Sequence, residues 1–125
     1  MKTSELSGVQ LDWAVAQCEK HEVKFECNLL FFSDKLQMLD YGIVYRPSED
    51  WEYGGPIIER EKIGVWWATH YVDDNGKEYG NHWYAENVEG IVRDGPTPLV
   101  AAMRCYVASK LGEEVEIPKE MTHEN

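Results

Sequence analysis

Apolar residues recur along this chain with two periods, and the periods divide it. From Leu99 to Leu111 the spacing is helical. Leu99, Ala102, Met103, Tyr106 and Val107 form one line, with Ala101, Ala108 and Leu111 beside it, as in a helix with one apolar face. Start and stop signals bracket the run. Thr97 offers a hydroxyl to an unpaired N–H of the first turn. Pro98 stands at the first helical position, where its missing N–H costs nothing, and Gly112 follows the last turn. Arg104 and Lys110 lie toward the negative end of the helix dipole. The pattern predicts a helix over 97–111. Residues 4–20 predict another, with Leu6, Val9 and Trp13 on one line and Leu11, Ala14, Val15 and Cys18 on a second. So wide an apolar face belongs to a helix pressed well into a core. Ser7 with Gln10 has the form of a capping box, which starts the regular helix after Gly8.

Between these helices the period is two. Over residues 23–32, Val23, Phe25, Cys27, Leu29 and Phe31 alternate with Lys24, Glu26 and Asn28. Over 38–46, Leu39, Tyr41, Ile43 and Tyr45 alternate with Asp40, Gly42 and Arg46. The two runs predict a first hairpin. Residues 64–73 and 78–88 predict a second, closed by Asp74-Asn75-Gly76-Lys77, since Asn-Gly favours a two-residue turn. That turn sets Ala68 opposite Trp83 and Trp66 opposite Ala85 on one face, with Trp67 opposite Tyr84 and Thr69 opposite His82 on the other. The first face is the more apolar and is expected to meet the core; a slip of one residue would exchange the faces. Gly54-Gly55-Pro56 reads as punctuation, with Pro56 opening a short helix through Lys62. Glu89 to Gly95 reads as a turn-rich connector. The expected architecture is α+β: an antiparallel four-stranded sheet of two hairpins, flanked by an N-terminal helix and a long C-terminal helix. Residues 1–118 form the single domain, and 119–125 a flexible acidic tail.

Composition narrows the chemistry. The 125 residues suit one domain. No apolar run approaches the roughly 20 residues of a membrane span, and Met1-Lys2-Thr3-Ser4-Glu5 lacks the apolar core of a signal peptide. Cys18, Cys27 and Cys105 are odd in number and far apart, as expected of buried free thiols in a reducing cytoplasm. The net charge of −11 opposes direct binding to nucleic-acid phosphates or anionic membranes and suits a basic protein partner. Phosphate-binding loops, nucleophile elbows and metalloprotease motifs are absent. Of the four histidines, His21, His70, His82 and His123, the expected pairing sets His70 and His82 on opposite faces of one hairpin and His123 lies in the tail, with the cysteines in other elements, so neither a metal site nor a cofactor is expected. The reading leans away from an enzyme.

The aromatic excess is the most informative feature. Trp51, Trp66, Trp67, Trp83 and Tyr84 crowd the middle of the chain. Rings with polar tips suit interfaces. Trp66 and Trp67 are adjacent and must face opposite sides of a strand, so either both sheet faces are covered or one ring is available. A homodimer through the sheet would also cover it. Trp51, Gly54, Gly55, Trp67, His82 and Tyr84 are therefore the candidate binding residues.

Several blocks resemble one family. Leu11-Asp12-Trp13-Ala14-Val15-Ala16, Asp50-Trp51, Gly54-Gly55-Pro56-Ile57-Ile58-Glu59-Arg60-Glu61, Trp83-Tyr84-Ala85 and the run from Gly95-Pro96-Thr97-Pro98 to Gly112 resemble the NinX-like proteins of phages and prophages. The arrangement is also similar to small phage domains built as helix–sheet–helix sandwiches. The resemblance implies a phage accessory protein expressed in the bacterial cytoplasm and supplies no catalytic residues. The expected function is non-enzymatic binding to a host or defence macromolecule through Trp67, Tyr84 and Trp51. The alternative is a nucleotide-like small ligand held in a Trp-lined pocket near Gly54-Gly55.

Overall fold

The computed structural model describes residues 1–33 and 43–122. A short 3-10 turn, Thr3–Glu5, leads into helix α1, Gly8–Glu19, then strands β1, Val23–Glu26, and β2, Leu29–Phe32. Helix α2, Trp51–Glu61, follows. Five strands come next: β3, Gly64–Ala68; β4, Tyr71–Val72; β5, Glu78–Tyr79; β6, His82–Glu86; and β7, Val92–Gly95. Helix α3, Pro98–Leu111, and a 3-10 turn, Lys119–Met121, close the chain.

The α+β class holds, but the expected four-stranded sheet does not form. The strands fall into a pair β1-β2, a three-stranded sheet in the order β3-β6-β7, and a pair β4-β5, all antiparallel. The run 23–32 is itself a hairpin. It turns at Cys27-Asn28, both with positive φ (53° and 61°), the backbone that a two-residue turn between twisted strands requires. Leu30 and Phe32 thereby join Val23 and Phe25 on one face, which explains why they interrupt the polar alternation. Of the predicted strand 38–46, residues 38–42 lie outside the described residues. Ile43 to Tyr45 run along the free side of β2, with Tyr45 N–H donating to Leu30 O at 2.8 Å. The connector before α3 contains β7, which completes the three-stranded sheet.

The second hairpin is shifted by one residue from the expected register. Trp66 pairs with Tyr84 and Trp67 with Trp83, while Tyr71 pairs with Tyr79. The turn is longer than Asn-Gly implies. Asp73 N–H donates to Lys77 O at 2.9 Å, and the Asp73 carboxylate accepts from the N–H groups of Asn75 and Lys77, each at 2.9 Å. Gly76 alone takes positive φ, 82°. A type I turn plus one left-handed glycine makes a three-residue loop, and one extra loop residue exchanges the faces of one strand relative to the other.

Helix α2 also begins earlier than predicted. The Asp50 side chain caps it by accepting from Glu52 N–H at 2.9 Å, and the helix runs through Gly54, Gly55 and Pro56. Gly54 is there because the helix passes close to other backbone. A Cβ at that position would lie 2.5 Å from Pro47 O and 2.6 Å from Leu99 Cδ2, whereas one on Gly55 would meet only Trp51 Cε3, at 3.8 Å.

Helix α3 matches its prediction. The Thr97 hydroxyl accepts from Val100 N–H at 3.1 Å, Pro98 opens it and Gly112 follows it. Leu99 to Met103 and Cys105 to Ala108 are all buried, so α3 is enclosed by the three-stranded sheet, α1, α2 and the first 3-10 turn. The Ser7–Gln10 capping box does not form: Ser7 makes no side-chain cap, and Gln10 Nε2 donates instead to Met121 O at 2.7 Å. The chain ends are tied together, with Thr3 N–H donating to Glu113 O and Val115 N–H to Met1 O. Met121, in the stretch expected as a tail, is buried against the core.

One buried carboxyl joins α1 to the turn before α2. Asp12 Oδ1 accepts from Ser48 N–H at 2.8 Å, and only 4% of Asp12 is exposed. Burial pushes its carboxyl from the ordinary 3.8 up to about 7, against the pull of Ser48. The folded state therefore holds a proton that the unfolded chain has already released, and this group's contribution to stability falls as pH rises through that window. Asp12→Asn keeps the acceptor and removes the ionisation. Relative to wild type it should gain stability with rising pH, at up to about 1.4 kcal/mol per pH unit. Urea melts across the window check this; parallel curves for the two proteins would contradict it. The two adjacent glycines give a second test. Gly54→Ala should lose about 1–3 kcal/mol through overpacking, while Gly55→Ala should gain up to about 1 kcal/mol from helix propensity. Equal effects in denaturant melts would refute the close approach at Gly54.

Candidate functional site

The six candidate residues separate into three places. Trp51, Gly54 and Gly55 belong to α2, Trp67 lies on the side of the sheet that faces α3, and His82 and Tyr84 lie on the opposite side. The observed register makes this division. Val65, Trp67, Trp83 and Ala85 share the inner face, and Ala85 is fully buried beneath α3. Trp66, Ala68, His82, Tyr84 and Glu86 share the outer face, joined from β7 by Val92 and Asp94.

The outer face is an aromatic patch. The Trp66 and Tyr84 rings stack at 6.0 Å between centroids, and His82 meets Tyr84 edge-on at 6.4 Å. His82 Nε2 lies 3.3 Å from Asp94 Oδ2, which orients the imidazole. Gly80 N–H approaches the Tyr84 hydroxyl at 3.4 Å. Trp66 is 41% exposed. Trp66 and Asp94 did not emerge as site residues from the sequence. The signal that would have found them is Asp73, whose side chain can cap the turn and lengthen the loop.

A second feature lies where three helices begin. Ser7 and Gly8 of α1, Ser48, Glu49 and Trp51 at the start of α2, and Pro96 to Val100 at the start of α3 line one cleft of about 440 Å³. Trp51 is 56% exposed at its rim. The expected pocket thus has one tryptophan, and Gly54 packs instead against Pro47 and Leu99.

At the other end the same helices are joined by charge. Arg60 of α2 makes a bidentate pair with Glu19 of α1, at 2.6 and 3.0 Å, and Glu19 also accepts from the Tyr106 hydroxyl of α3. Lys110 lies 3.4 Å from Glu61. Burial works to raise the Glu19 carboxyl, but the hydrogen bonds from Arg60 and Tyr106 hold it below the usual range. Burial, then the bond to Glu19, pushes the Tyr106 phenol up. Every polar atom of this cluster has a partner, so it reads as a clamp between helices.

Among the described residues no group of three or more His, Cys, Asp or Glu side chains converges on a metal position. Cys105 is buried, with its thiol pushed up to about 11 by burial, and half-buried Cys18 is pushed up to about 12 for the same reason. Cys27, expected to be buried, is exposed because it forms the turn of the first hairpin. Among the described residues no helix is long and apolar enough to cross a membrane.

None of the curated proteins compared with the chain matches it. The family described as Bacteriophage P22, NinX matches residues 2–110. Among the described residues that match takes in α1, α2, strands β1 to β7 and α3 as far as Lys110, and includes the outer aromatic patch, the Trp51 cleft and the Glu19–Arg60–Tyr106 clamp. By this match over most of its length, the chain belongs to the phage P22 NinX family.

Proposed function

We propose that this phage NinX-family protein is a non-enzymatic accessory protein that binds a host or defence protein in the bacterial cytoplasm. The observation that carries this reading is the outer face of the three-stranded sheet. Trp66, Tyr84 and His82 form an aromatic patch there, with Trp66 exposed and Tyr84 and His82 half-buried. Such rings offer large contact area with few rotatable bonds. Glu86 and Asp94 border the patch, and the chain carries a net charge of −11, so the partner surface is basic. Complementary charge of this kind steers encounter and suppresses wrong partners. Of the three contact residues expected from sequence, Tyr84 lies in the patch, while Trp67 and Trp51 lie off it.

The test pairs wild type with a His82→Ala/Tyr84→Ala variant whose melting temperature is checked first. Wild type immobilised at moderate salt should retain a host protein. That partner, once purified, should bind the variant at least about tenfold more weakly, the loss expected when central aromatic contacts are removed. Retention of nothing above background, or equal affinity for both proteins, would sink the reading.

The Trp51 cleft supports a second reading, a small planar ligand of the nucleotide kind. A volume of about 440 Å³ is within the range of ligand pockets, and the Trp51 ring offers a stacking surface. A ligand that binds only the folded state raises the melting temperature. Adenosine and guanosine monophosphates should then raise it for wild type and not for Trp51→Ala. An unchanged wild-type melting temperature at millimolar nucleotide would rule this reading out.

A further inference from the structure

The three-stranded sheet has two edges, and they are built differently. The β7 edge is protected by charge, since it carries Arg93 and Asp94. The β3 edge is Gly64-Val65-Trp66-Trp67-Ala68, without a charged residue or a proline. Among the described residues no strand pairs with its outer side. An uncharged, unpaired edge is a template for another strand, and proteins that remain monomeric usually block one with Lys, Pro or a bulge.

The two tryptophans locate what is missing. Trp66 is on the outer face and 41% exposed. Trp67 is on the face that α3 covers, yet it is 48% exposed. One strand with large rings exposed on both faces lacks a neighbour at its edge rather than a layer over one face. We infer that β3 pairs with β3 of a second copy of this chain, joining two three-stranded sheets into one of six strands.

Charge restricts where a second copy can sit. The chain has 23 acidic residues against 12 Lys and Arg, and a second copy brings the same excess. Two copies can approach closely only where each is locally neutral, and β3 is such a segment. Symmetry restricts the register further. A two-fold axis perpendicular to the sheet makes the strands antiparallel and keeps both α3 helices on one side. Paired residues must then share a face, so their residue numbers sum to an even value. The central register sets Trp66 opposite Trp66 of the second copy, Val65 opposite Trp67, and Gly64 opposite Ala68. The small residues at the strand ends leave room for the rings between them. The outer aromatic patch is doubled, not consumed, because Tyr84 and His82 lie one strand in.

Sedimentation velocity on the full chain, from micromolar to millimolar concentration, tests this. Wild type should sediment as a dimer, and Trp67→Lys, which places a charge on the edge, as a folded monomer. In a Cys27→Ser background, Trp66→Cys should form an intermolecular disulfide on mild oxidation, while Glu86→Cys on the central strand should not. This second reading does not depend on the folding of Trp67→Lys. The His82→Ala/Tyr84→Ala variant should remain dimeric, which separates this inference from partner binding. Wild type that is monomeric at every concentration, or a dimer that survives Trp67→Lys, would overturn it.

Discussion

A helix enclosed on nearly every side can be accommodated only if its neighbours approach closely and its polar ends are met. Helix α3 satisfies both conditions, and the rest of the fold is arranged to let it. Ala101, Ala102 and Ala108 bring adjacent elements near its backbone, while Met103, Tyr106 and Val107 fill the gaps between them. Each large side chain buried in this way contributes roughly 1.5–3 kcal/mol. Thr97 and Gly112 satisfy the helix ends. Arg104 leaves the core by donating to the carbonyls of Leu6 and Asp94, at 2.7 and 2.9 Å, so even its one charged interior position ties two other segments to the helix.

That burial dictates how the other helices lie. The starts of α1, α2 and α3 line one cleft, and their ends meet at the Glu19–Arg60–Tyr106 clamp, so the three run in the same direction. Parallel dipoles repel, with positive ends together at the cleft and negative ends together at the clamp. Acidic and hydroxyl caps at Asp50 and Thr97 offset the first, and Arg60 and Lys110 offset the second. The Asp12–Ser48 hydrogen bond holds the cleft end closed. A cleft formed by three helix starts is thus a consequence of packing, and its exposed Trp51 is the part that packing does not explain.

Because one face of the three-stranded sheet is used for α3, the other face and the free edge remain. The aromatic residues divide between these surfaces: Trp83 is inside, Trp66, Tyr84 and His82 are outside, and Trp67 is at the edge. The aromatic excess is therefore only partly a core feature. Its exposed part is spread over the outer face of the sheet, the β3 edge and, with Trp51, the start of α2.

The strength of local signals explains what could be read in advance. Helix α3 was legible because cap, proline, periodicity and terminal glycine are all encoded within sixteen consecutive residues, Thr97 to Gly112. The α+β class and the family resemblance were legible for the same reason. Residues 23–32 were misread because a strand and a two-residue hairpin alternate almost identically; only Leu30 and Phe32 betray the turn. Gly54-Gly55-Pro56 looks like a break locally, yet lies within a helix because Pro47 and Leu99 require a residue without a side chain at Gly54. The sequence by itself determined the elements whose hydrogen bonds close locally. The tertiary structure decided the split of the sheet and the sides on which Trp66 and Trp67 lie. The register of the second hairpin follows from one extra turn residue, which Asp73 holds within the loop; the split of the sheet and the side that faces the core depend on which face α3 covers, and that is settled by contacts between residues far apart in the chain.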